Sequence, residues 1–122
     1  MVTVDIARGS DLVDALERAK LKVSVALWVF LGEYEDWRMV LSARQFDTLG
    51  LREAYGLLYE TLAPAGFTAR NTPPIMILQR TDPFIRELRR LFGKTKNVEG
   101  MRLGGQLIAD RFVEEAYVYR IS

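Results

Sequence analysis

The sequence predicts an α+β fold in one domain, residues 1–122, on three observations. Residues 22–31 alternate with strand period yet are apolar on both faces, and residues 83–92 read as an amphipathic helix opened by Asp82 and Pro83. The elements follow one another roughly as (β)αββαβαββ, without internal repeat, heptad run or low-complexity tract. We expect a mainly antiparallel or mixed sheet of four to six strands, with about three helices packed on one face. At 122 residues, 49% apolar and 27% charged, the chain suits one hydrophobic core and lacks the polar bias of disordered segments.

Val2, Val4 and Ile6 alternate with Thr3 and Asp5, which allows a short leading strand. The first helix is expected from Ser10 as N-cap to Lys20, with Leu12, Ala15, Leu16 and Ala19 as its apolar stripe. In the strand at 22–31, Val23, Val25, Leu27, Val29 and Leu31 share one face, and Ser24, Ala26, Trp28 and Phe30 the other. Such a strand is central, or its second face is covered by a helix or another subunit. An acidic turn over 32–36 leads to a return strand at 37–43.

Residues 49–62 read as a helix ending before Pro64 and Gly66, with an apolar arc of about 200° counted at the α-helical angle. Gly56 lies off that arc and marks a close contact on the other side. Residues 75–79 form a short interior strand after the rigid Asn71–Pro74 loop. In the helix that follows, Phe84, Ile85, Leu88, Leu91 and Phe92 turn inward and Arg86, Arg89 and Arg90 outward, and Gly93 ends it. Residues 93–106 hold four glycines and read as a flexible loop, with strands at 107–109 and 114–121 after it.

The composition excludes several chemistries. With neither cysteine nor histidine, the chain has no thiolate nucleophile, no Ser-His-Asp or Cys-His arrangement and no Cys/His zinc site. Gly93, Lys94 and Thr95 resemble the tail of a phosphate-binding P-loop, but Leu88 stands where the motif needs its first glycine, and the triplet follows a helix instead of opening one. Gly100, Gly104 and Gly105 miss the dinucleotide-binding spacing. Glu33, Glu35 and Asp36 lack the calcium-loop pattern, and adjacent Glu114 and Glu115 would point to opposite faces of a strand. Tyr55 with Tyr59, and Tyr117 with Tyr119, are spaced to share a face, as buried packing or as a platform for bases. No cofactor and no metal site is expected.

Charge is uneven along the chain. Residues 1–60 carry ten acids and seven bases, residues 61–122 six acids and ten bases. Within 80–102 stand Arg80, Arg86, Arg89, Arg90, Lys94, Lys96 and Arg102, of which Arg86, Arg89, Arg90, Lys94, Lys96 and Arg102 form a basic helix-and-loop segment able to meet phosphates. The leading expectation is nonetheless a non-catalytic binding or assembly module that self-associates, a dimer being favoured, with Trp28 and Phe30 at the interface. Nucleic-acid or anionic-ligand binding through 80–102 is the alternative. A small enzyme using tyrosine, arginine and carboxylate groups comes third. Met1–Ser10 does not read as a signal peptide and no apolar run approaches the length of a membrane span, so a cytoplasmic location without membrane contact is expected.

Overall fold

The computed structural model describes residues 5–33 and 35–122. Three helices and five strands follow in the order α1 (Ile6–Arg18), β1 (Val23–Leu31), β2 (Asp36–Ala43), α2 (Leu51–Leu62), β3 (Ile75–Ile77), α3 (Pro83–Phe92), β4 (Arg102–Ile108) and β5 (Arg111–Ile121). The strands make one mixed sheet ordered β3-β2-β1-β5-β4, antiparallel throughout except for the parallel β2–β3 pair. The α+β class, the mixed sheet and the central place of β1 thus agree with the sequence reading.

The placement of the helices does not. α1 and α2 cover one face, where Leu12, Leu16, Ala54, Leu58 and Leu62 pack on Ala26, Trp28, Met39 and Leu41. α3 covers the other face, where Phe84, Ile85 and Leu88 pack on Val25, Leu27, Val29 and Val40. The apolar character of both sides of β1 has this cause: each face seats its own core layer, and a strand buried on both sides cannot alternate apolar with polar.

α1 begins a turn earlier than the caps suggested. Asp5 accepts a hydrogen bond from Arg8 N–H at 2.8 Å and serves as N-cap in place of Ser10, so Ile6 is helical. Residues 2 and 4 of the expected leading strand lie outside the described residues. At its other end α1 closes with Lys20 N–H donating to the Glu17 carbonyl and Leu21 N–H to that of Leu16, with Lys20 left-handed at φ 65°. For α3 the expected start holds, since Asp82 accepts from Phe84 N–H at 2.9 Å and Pro83 takes the first helical position.

Two stretches differ from expectation around glycine. Residues 102–106 belong to β4 rather than to a loop, and β5 runs from Arg111. A strand at the sheet margin pairs on one side only, so Gly104 and Gly105 sit in it at little cost, with Gly105 left-handed at φ 60°. Gly56 makes no close contact, because a Cβ built on it would meet nothing within 4 Å. Gly9 is the helical glycine under a close approach: a Cβ there would lie 2.7 Å from Trp28 Nε1 and closer still to the Tyr119 hydroxyl. That hydroxyl accepts from Trp28 Nε1 at 3.0 Å and donates to the Ile6 carbonyl at 2.6 Å, tying α1 to the sheet.

α2 starts at Leu51 behind Gly50, and β3 is three residues long instead of five. The outer edge of β3 is closed by a side chain. The Tyr55 hydroxyl accepts from Ile77 N–H at 3.0 Å and donates to the Ile75 carbonyl at 3.3 Å, as a neighbouring strand would.

Candidate functional site

Strand directions bring the site together. β1 begins, and β2, β3 and β5 end, at the same edge of the sheet. Each of these four strands carries a cation close to that end: Lys22 before β1, Arg44 after β2, Arg80 beyond β3 and Arg120 within the last turn of β5. Lys20 joins them from the α1–β1 connection and Arg89 from α3, and together they line an open cleft of about 660 Å³. Glu17 is the sole acid in its lining, and Leu21, Val23, Ser24 and Ser122 complete it.

Most of these groups are held in place. Asp47 accepts from Arg80 N–H at 3.0 Å and from Arg80 Nε at 2.5 Å, and so orients the guanidinium. Glu17 pairs with Arg120, and Arg89 Nε donates to the Ser122 carbonyl at 2.8 Å. Gln45 braces the α1–β1 connection from both directions, accepting from Lys22 N–H and donating to the Lys20 carbonyl, each at 3.0 Å. Among the described residues, Lys20, Lys22 and Arg44 form no ion pair. Unneutralised cations collected in one concavity repel one another, and an anion relieves that repulsion.

The basic segment read from the sequence is dispersed by the fold. Arg89 and, at the start of the segment, Arg80 line the cleft. Arg86 is exposed on α3, Arg90 pairs with Glu87 one turn away, and Lys94 and Lys96 are exposed beyond the helix. Arg102 sits on β4 over the Tyr117 ring, 5.4 Å from its centre, on the sheet face opposite α3. Lys20, Lys22, Arg44 and Arg120 were missed because they are scattered over a hundred positions. The one local signal was that all four stand within three residues of a strand end.

The interface expected at Trp28 is corrected by its burial. Trp28 is 4% exposed and lies under α1 and α2 of its own chain. Phe30 is half-buried and meets Trp37 edge to face, 5.6 Å between ring centres. Tyr117 and Tyr119 meet at 5.2 Å, edge to face, and Tyr55 and Tyr59 stack at 6.4 Å with Tyr59 48% exposed. Burial pushes the Tyr119 phenol up to about 12, opposed in part by the indole N–H of Trp28. In the acidic turn, Glu33 reaches Arg111 at 3.4 Å and Asp36 caps Trp37 N–H at 2.8 Å. Among the described residues, no three acidic side chains are grouped to hold a metal ion, and no helix is long and apolar enough to cross a membrane.

No protein-family model matches the chain, and neither curated proteins nor solved structures give a match. The functional reading therefore rests on the cleft.

Proposed function

We propose that this domain is a non-catalytic binding module for phosphate-bearing anions, held in the basic cleft at the sheet end. The observation that carries the reading is convergence: six cationic side chains from five segments of the chain line one cleft against a single acidic side chain. Solvated surface arginines scatter or pair locally, as Arg90 does with Glu87. Three cations without ion pairs, beside three guanidiniums fixed by other groups, form a preorganised receptor for oxyanions.

Calorimetric titration of inorganic pyrophosphate into the parent and into a Lys22→Gln, Arg44→Gln variant tests this. Both side chains are exposed, so the variant should keep the parent's unfolding temperature. We expect it to bind at least about tenfold more weakly, with a shallower salt dependence. A control with Arg86→Gln, Lys94→Gln and Lys96→Gln should bind like the parent. Equal binding by the cleft variant and the parent would discard the reading.

A second reading keeps self-association but moves it to the β4–β5 hairpin. Leu107 and Phe112 face each other across the strands and are 70% and 49% exposed, beside the unpaired edge of β4. Edges of this kind pair with further strands. Light scattering over a dilution series should then find a dimer that Leu107→Lys with Phe112→Lys converts to monomer. A parent that is monomeric at every concentration rules it out.

A further inference from the structure

Resting on the anion-binding reading, we infer that the occupant of the cleft is a compact polyphosphate of about three phosphates, recognised through its phosphate chain alone. Size is the first reason. A cleft of about 660 Å³ matches a small ligand, whereas a duplex lies along an extended basic surface. The outer surface of α3 offers no such track, since Arg90 is paired with Glu87.

The lining is the second reason. It contains aliphatic, hydroxyl and cationic side chains but no aromatic ring, so the aromatic platform on which successive bases stack is missing from it. Single-stranded nucleic acids are held by aromatic stacking as well as by charge, and among the lining residues the charge is what this cleft supplies.

Charge balance is the third. Glu17 and Asp47 neutralise two of the six cations through their pairs with Arg120 and Arg80, and Arg89 is held on a Ser122 main-chain oxygen, which leaves Lys20, Lys22 and Arg44 as three positive charges without a partner among the described residues. A chain of three phosphates carries about four negative charges near neutral pH, whereas orthophosphate carries about two. The guanidiniums are prepared for such a chain. Arg80 and Arg89 are anchored through Nε, which leaves their terminal nitrogens to donate in parallel pairs to phosphate oxygens. Lys20, Lys22 and Arg44 come from neighbouring segments, and Arg44 N–H donates to the Lys22 carbonyl at 3.2 Å, which fixes their spacing.

The shared chemistry is the phosphate chain, whether free or carried by a nucleoside. Titrations of orthophosphate, inorganic triphosphate, ATP, GTP, an oligothymidylate and a short DNA duplex distinguish the sources. They would be run at near-physiological ionic strength against the parent, Lys22→Gln with Arg44→Gln, and Arg44→Glu alone. Expected are equal affinities for inorganic triphosphate, ATP and GTP within about threefold, and orthophosphate at least about tenfold weaker, the equivalent of one charge-assisted hydrogen bond. Both cleft variants should lose at least about tenfold for all three triphosphates. Oligothymidylate or duplex binding more tightly than triphosphate, and weakened by the same variants, would overturn the polyphosphate assignment and leave the anion site standing. Preference for one base would overturn recognition through the phosphates alone. Cleft variants that bind every probe as the parent does would overturn both.

Discussion

At the scale of single residues, two helical glycines make opposite demands. Gly9 allows α1 to descend onto the hydrogen-bonded Trp28–Tyr119 pair, where an added Cβ would displace both polar atoms. Gly56 faces open space. Ala is the better helix former by about 1 kcal/mol, so Gly56→Ala should stabilise by up to that amount. Gly9→Ala should destabilise by about 1–3 kcal/mol, because overpacking outweighs propensity. Urea unfolding of the two variants reads both signs, and a stabilised Gly9→Ala would contradict the packing account. The buried hydroxyl of the same pair makes the fold sensitive to alkali. Tyr119 keeps its proton up to about pH 12 in the folded chain, against 10 for an ordinary tyrosine. Its contribution is therefore complete below pH 10 and is lost as the pH rises from 10 to 12. Tyr119→Phe should be less stable near neutrality by about 1–3 kcal/mol, having left the Ile6 carbonyl and the indole N–H without their partner. Above pH 10 the parent's lead should shrink by up to about 1.4 kcal/mol per pH unit. A lead that is constant across that window would refute the assignment.

At the scale of elements, the ends carry more information than the middles. α3 has Asp82 and Pro83 at its start, and its boundary was legible because each residue has one physical role there. α1 was misplaced by a turn because Asp5 and Ser10 are both competent caps, and the choice fell to the Tyr119 hydroxyl, which fixes Ile6 within the helix. Its far end places Lys20, a cleft residue, in a left-handed conformation that glycine adopts freely. Lys20→Gly should therefore raise stability by about 1 kcal/mol while weakening triphosphate binding. Thermal unfolding and calorimetry on one sample separate the two effects, and unchanged affinity would remove Lys20 from the site. β4 was illegible for a related reason. Glycine is a sound loop signal in general, but a marginal strand tolerates it because only one of its edges needs a partner.

At the scale of the whole molecule, the apolar surplus of β1 and the missing stripe of basic residues have a common origin in the sheet order. With β1 between β2 and β5, both its faces lie inside, and Trp28 meets α1 and α2 where a second subunit had been expected. The same order sets the ends of β2, β3 and β5 beside the start of β1, which gathers Lys22, Arg44, Arg80 and Arg120 from distant parts of the chain. Of the cleft residues, the basic segment seen in the sequence contributes Arg80 and Arg89.

The sequence by itself determined the α+β class, the strand and helix character of most elements, the apolar character of both faces of β1 and the exclusion of thiol and imidazole chemistry. These follow from periodicity, capping residues and composition, which act within a few positions of the chain. Only the tertiary structure decided which face each helix covers, which glycine is crowded and which cations meet. Those depend on strand neighbours and directions, and the distances that set the electrostatics of the cleft lie between residues that the chain keeps far apart.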